Sequence, residues 1–235
     1  MHRSALSRAA ALAVLILAMF GCSAQPGSGL ALGEATWMDG DKASYHWLDQ
    51  SGARIGTGEL GYARDGSAWV LTSAEKIGES LDQSASVRVD ASTLKPLGEE
   101  KKIKAEGTDA TVSTTYQGGK LDIRAVVNGQ NRSASMDVPS DSLDNDQLLA
   151  TLRALKFADG YEGKYVNVVA GNATKIPTTI RVKGKEKVDV PAGSFDSWKV
   201  ELDFGQARQF AWYQADAPNQ LVQYDNGATR MVLTK

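Results

Sequence analysis

The sequence predicts a mostly β protein: an antiparallel meander curled into a half-barrel, with one helix against its concave face. A closed barrel or a sandwich is the alternative. Three observations carry this expectation. Apolar and polar residues alternate with period two over long runs, as in Ala110, Val112, Thr114, Tyr116 and in Trp198, Val200, Leu202, Phe204. Such alternation marks strands with one face on a core and one in water. Tight-turn dipeptides separate the runs at short intervals. A single segment, around Leu148, switches to helical spacing.

The elements follow in order. Residues 1–8 carry Arg3 and Arg8 and no acid, and residues 9–20 are all apolar. A basic start, a short apolar stretch and small residues after it read as an export signal. The apolar stretch covers about 18 Å as a helix, against the roughly 30 Å of a bilayer core. A permanent transmembrane anchor is therefore the weaker reading. Cys22 is the only cysteine and stands where the signal is cut. Gly21-Cys22 resembles the end of a bacterial lipoprotein signal, in which the cysteine is diacylated and becomes the mature N-terminus. Ordinary cleavage after Ala24 is the alternative. Ser23, not Asp, follows the cysteine, which resembles the outer-membrane-sorted kind. The expected organisation is a signal peptide over 1–21, a lipidated tether over 22–33 and one β-rich domain over 34–235. The expected location is the cell envelope, facing the periplasm from the outer membrane.

Within the domain, strands are expected from about Lys42 to Val138 and again from Lys164 to Leu233. Asp65-Gly66, Gly118-Gly119, Asn128-Gly129 and Asn226-Gly227 suit hairpins because they tolerate positive φ. Ser51-Gly52 and Gly184-Lys185 are softer turn signals. Between the two β runs, Leu148, Leu152 and Leu155 recur at helical spacing, with Leu149 beside them. Asp144 with Gln147 three residues later resembles a capping box, and Asp159-Gly160 is the expected stop. A sheet of roughly a dozen strands does not stay flat; it curls, splits or closes.

The most distinctive stretch is Val190-Pro191-Ala192-Gly193-Ser194-Phe195, a strand end, a tight turn and a new strand opening on an aromatic. Ala211-Trp212-Tyr213, Pro218 and Val222-Gln223-Tyr224 follow it. Thr93-Leu94-Lys95-Pro96-Leu97, the segment Asp144 to Arg153 and Gly160-Tyr161 complete the pattern. From Leu94 to Tyr224 the chain resembles the uncharacterised periplasmic β family DUF3108. The resemblance implies a fold and carries no activity with it. More loosely, a lipidated sheet curled around a helix is similar to the lipoprotein-carrier proteins of the bacterial envelope, which hold acyl chains in a concave cavity. That step is analogy of fold.

Composition excludes much else. The chain of 235 residues is 42% apolar and 23% charged, with 6 Pro and 1 Cys, unlike a disordered chain or a disulfide scaffold. A formal net charge of −2 leaves no footprint for nucleic acid. Of 2 histidines only His46 lies outside the N-terminus, which excludes a multi-histidine metal site. Ser73-Ala74-Glu75-Lys76 matches S-x-x-K, but that motif needs a helix, and here it sits in a predicted strand without a K-T-G partner. Asp141, Asp144 and Asp146 lack the Gly and distal Glu of a calcium loop, and helix capping explains them. Glu99-Glu100-Lys101-Lys102 reads as a solvated strand or hairpin. Gly160 to Lys164 lacks P-loop spacing, and the sequons at Asn131 and Asn172 carry no weight beside a bacterial-type signal. No catalytic residue, metal ligand or cofactor site is expected.

The large aromatics hold what functional leverage there is. If the curl leaves part of its inner face unfilled, Tyr116, Trp198, Val200, Phe204 and Trp212 would line a cavity for a lipid or another hydrophobic ligand. The expected function is then a non-catalytic envelope lipoprotein that binds such a ligand. Aromatics on an inner sheet face are commonly just core. On that alternative the protein is a structural or assembly lipoprotein with a filled core that holds protein partners. A roomy dry hollow favours the first; a filled interior favours the second.

Overall fold

The computed structural model describes residues 29–234. Cys22, the signal and the first part of the tether lie outside the described residues. A single 15-stranded sheet forms most of the domain. Its first half comprises β1 (Lys42–Leu48), β2 (Arg54–Asp65), β3 (Ala68–Ile77), β4 (Leu81–Asp90), β5 (Pro96–Ala105), β6 (Thr108–Gln117), β7 (Lys120–Val127) and β8 (Gln130–Asp137). The short β9 (Ser142–Asp144) leads into a helical segment, residues 145–154, made of one α turn between two 3₁₀ turns. The second half comprises β10 (Glu162–Val169), β11 (Thr174–Val190), β12 (Gly193–Asp203), β13 (Arg208–Gln214), β14 (Leu221–Asp225) and β15 (Arg230–Leu233). The spatial order runs from β8 back to β1, across to β15, and back to β9, so β8 and β9 are the free edges. All pairings are antiparallel except the parallel β9–β10 pair.

Turn chemistry sets this order. Asn128 and Gly129 take φ of 51° and 77°, the left-handed pair that matches strand twist in a two-residue hairpin. Val190 pairs with Gly193 across Pro191-Ala192, so the V-P-A-G stretch is the tight β11–β12 hairpin. Gly184 corrects a sequence expectation. It is no turn but a bulge inside β11, at φ 113°, where the register with β12 shifts. The helical segment lies where expected, but only its middle turn is α. It ends at Leu155, which turns extended (φ −63°, ψ 135°), well before Asp159-Gly160. The chain expected as tether is docked from Gly29 onward: Gly29 bridges Lys164, Leu32 bridges Leu155, and the Gly33 amide donates to the Ala154 carbonyl at 2.7 Å.

The sheet is not closed into a barrel, yet it curls until its halves meet. One core gathers Tyr45, Tyr62, Leu71 and Val87 from the first half with Ile180, Val200, Leu202 and Tyr213 from the second. Leu148, Leu152 and Leu155 of the helical segment fill the space between them. A second cluster joins Val112, Leu121 and Ile123 of β6 and β7 to Val168 of β10 and to Ala170. Side chains thus seal the gap that the hydrogen-bond ladder leaves. At Gly98, where β5 and β6 approach closely, a Cβ would stand 2.7 Å from the Thr114 carbonyl oxygen. Gly98→Ala is therefore expected to lose about 1–3 kcal/mol of stability in urea unfolding; an unchanged midpoint would contradict the close approach.

Candidate functional site

The concave wall and its helical plug form the candidate site. Asp144 caps the plug: its carboxylate accepts from the Asp146 amide at 2.9 Å, and the Gln147 side-chain oxygen accepts from the Asp144 amide at 3.2 Å. This is the reciprocal pair expected from the sequence. Fully buried Gln147 also donates to the Leu94 carbonyl (2.9 Å), and Tyr213 donates its hydroxyl to the Leu149 carbonyl (3.0 Å). Among the described residues, no backbone hydrogen bond ties residues 145–153 to the wall. Side chains hold this stretch to the wall, and backbone bonds fix only the plug's two ends, Asp144 in the β9–β10 pair and Ala154 under the Gly33 amide.

Arg153 is the anomaly of this region. It is 1% exposed and no carboxylate of the described residues pairs with it. Its Nε and Nη2 donate to one acceptor, the Pro218 carbonyl, at 3.3 and 3.2 Å. Its guanidinium lies 4.6 Å over the Tyr62 ring, and Trp37 stacks on the same ring at 5.1 Å. Arg153 Nη1, Tyr62 Oη and Trp37 Nε1 are all buried without a hydrogen-bond partner. Burial pushes the Tyr62 phenol up, against the downward pull of Arg153, so it keeps its proton.

A second polar group sits at the seam. Oxygens of Glu99 on β5, Asp144 and Asp146 lie within 4.8 Å of one another. Lys101 Nζ donates to Asp146 at 2.6 Å and Tyr116 Oη to Asp144 at 2.7 Å. Burial, then hydrogen bonding to Asp146 and the charges of both aspartates, pushes Glu99 up to about 10. Burial and the Asp146 charge raise Asp144 to about 6. For Asp146 burial acts upward, but the hydrogen bond from Glu99 and the Lys101 charge prevail, and its net shift is down. Glu99 is thus a neutral acid facing carboxylates, with Lys101 as the balancing cation. Asp141 takes no part in the group. The mixed run from Glu99 to Lys102 is a strand as expected, but not a solvated one. Period two turns Glu99 (3% exposed) inward, beside the plug, while Glu100 faces out.

The five aromatic-face candidates do not converge. Val200 is fully buried core, and Trp198 stacks on Phe157 with ring centroids 6.1 Å apart. Phe204 reaches a cleft of about 180 Å³ beside Leu148, Leu149, Tyr224, Glu75 and Asp146. Tyr116 stands at the seam. Trp212 points to the opposite face, where it packs with Val188 and Val222 and donates to Glu186 at 2.6 Å. The inner position belongs to Tyr213, because Trp198 pairs with Tyr213 and Trp212 with Lys199. The interior between wall and plug is filled by side chains. Ser73 and Lys76 lie three apart on β3 and face opposite ways. His46 is on the outer side of β1, between buried Tyr45 and Trp47. Arg153, Tyr62 and Trp37 escaped sequence reasoning. Glu99 and Lys101 were legible in principle, since period two through the charged run turns both inward.

Comparison with known proteins places the fold. Residues 42–234 match the family described as "Protein of unknown function (DUF3108)". The chain belongs to this family. The match extends beyond the motifs that suggested it, to nearly the whole domain. The crystal structure of a β-barrel-like protein of domain of unknown function DUF1849, from Brucella abortus, is similar at TM-score 0.55 and 12% identity, covering 86% of this chain and 98% of that one. That likeness is one of fold. A candidate lipoprotein from Parabacteroides distasonis (TM-score 0.32, 12% identity, 88% and 98% covered) is too distant in shape to carry an argument. The same holds for a candidate exported protein with a YmcC-like fold from Bacteroides fragilis (TM-score 0.29, 8% identity, 88% and 98% covered). No curated protein matches the chain. Among the described residues no helix is long and apolar enough to cross a membrane.

Proposed function

We propose that this is a non-catalytic lipoprotein of the cell envelope, anchored through Cys22, which carries an apolar ligand on its concave wall by exchanging it for the plug. The observation that carries the reading is the relation of plug to wall. A continuous apolar and aromatic surface is covered by a short helical segment that backbone bonds hold at its two ends and only side chains hold between them. Leu148, Leu152 and Leu155 occupy the place an acyl chain would take. An isolated helix of this length is marginal in water, so its order depends on the wall. Release of the plug bares a surface that water disfavours and a hydrophobic tail covers.

The test is the melting temperature of the purified mature chain with oleate and with monoolein. A ligand at about 100 times its dissociation constant adds about 2.7 kcal/mol, or roughly 5–10 °C for a domain of this size. The filled interior favours the second reading, an assembly protein that holds partners by its surface. Absence of any shift with either amphiphile, with no lipid released from natively extracted protein and a stoichiometric partner cross-linked in cells, would establish that reading instead. Labelled palmitate is expected to incorporate into the parent chain and not into Cys22→Ser.

A further inference from the structure

Arg153 has the wrong surroundings for a residue that only packs. A guanidinium has five N–H donors and a permanent charge. Removing it from water costs several kcal/mol unless charge and donors are met. Here one carbonyl serves two nitrogens, the Tyr62 ring faces the charge, and Nη1 has nothing. Its neighbours deepen the imbalance. The Tyr62 hydroxyl and the Trp37 indole N–H are also unpartnered, and both donate. Three contiguous side chains therefore present donors and one positive charge to a place where the acceptors are the Pro218 carbonyl, already shared, and the Tyr62 hydroxyl oxygen facing Arg153.

The location is equally specific. The Pro218 carbonyl that holds Arg153 also accepts from the Thr36 hydroxyl at 2.8 Å, and Pro218 itself is exposed. The guanidinium thus lies one loop beneath the surface. Met38, beside Trp37, is 70% exposed, an apolar side chain at the rim. The docked chain from Gly29 to Gly33 passes the neighbouring Ala154. With Cys22 as anchor, the residues up to Gly29 reach at most about 25 Å, so this end of the domain stays near the bilayer.

Resting on the carrier reading above, we propose that Arg153, Tyr62 and Trp37 form the receptor for the ligand's anionic head, so that the cargo is an amphiphile ending in a carboxylate or phosphate. The head replaces the acceptor these donors lack, and the tail follows the wall that the plug's leucines now cover. Arg153 adjoins Ala154, which the Gly33 amide holds, so the receptor end of the plug stays docked while the tail displaces the leucines before it, and the head takes over from the Pro218 contact.

The experiment compares oleate with monoolein, which has the same tail and a neutral head, and with acetate and inorganic phosphate as heads without tails. Binding to the mature chain is followed by calorimetry and by melting temperature. The parent is expected to prefer oleate over monoolein by about tenfold or more, and Arg153→Gln to erase that preference. Tyr62→Phe, which removes only a hydroxyl, is expected to reduce it about threefold or more, and it serves where the arginine variant fails to fold. Equal affinity of the parent for oleate and monoolein overturns the head receptor and leaves the carrier reading standing. Binding of neither amphiphile removes both. Stabilisation by acetate or phosphate equal to that by oleate overturns the amphiphile assignment, leaving a site for small anions alone.

Discussion

Glu99→Gln flattens the dependence of stability on pH across the alkaline range and leaves the variant more stable than the parent there. The cause is the proton that Glu99 must hold. Its folded pKa stands raised to about 10, above the ordinary 4.5, because the acid is buried and faces Asp146 and Asp144. Folding therefore takes up a proton at any pH between those values. The stability from this group is complete below the ordinary value and is lost as pH rises through the folded one. Asp144, raised to about 6, has the same sign over the lower part of that window. Lys101 offsets part of the repulsion: burial works to lower its ammonium, the Asp146 charge overrides it, and the net shift is up. Glu75, raised by burial, adds to the acidic field around Asp146 while accepting a hydrogen bond from Gln83. A glutamine keeps a neutral donor toward Asp146 and has no proton to lose. Urea unfolding from about pH 5 to about pH 9 is expected to separate variant and parent by roughly 1–3 kcal/mol at the upper end and little at the lower. Parallel curves would show that Glu99 carries no proton in the folded chain.

Leu152→Ala is expected to lose about 2–5 kcal/mol. Leu152 is fully buried at the centre of the plug, between strands of both halves of the sheet. Truncation leaves a hollow that the curled sheet closes only partly, since its curvature is set by ladders on every side. Leu149, half-buried one turn edge away, is the control; Leu149→Ala is expected to lose less than half as much, roughly 1 kcal/mol. Equal losses at the two sites would mean that the plug does not seat as described. The same comparison bears on function. A variant with a weakened plug should bind oleate more tightly if ligand and plug compete, because less is given up on exchange.

Much of the architecture was legible residue by residue. Alternation over Ala110 to Tyr116 and over Trp198 to Phe204 marked strands that exist as β6 and β12. Asn128-Gly129 and the V-P-A-G stretch marked hairpins that exist. Asp144 and Gln147 marked the start of the plug. The departures have one kind of cause. Gly184 suits a turn and a bulge equally, and only the pairing of β11 with β12 selects the bulge. The plug stops at Leu155 because the docked N-terminal chain takes over its backbone bonds there, with the Gly33 amide on Ala154.

What the sequence by itself determined was local: where strands run, where they turn and where the period changes. Those features follow from φ preferences and from side-chain alternation within a few residues. Only the tertiary structure decided which face looks inward and which charges are shut in. Tyr213 and not Trp212 reached the wall because of its partner on β12. Arg153, Tyr62 and Trp37 became neighbours because the sheet curls, bringing together positions far apart in the chain. Glu99 met Asp144 and Asp146 for the same reason, since curvature is the sum of twist over many strands and is written in no single one of them.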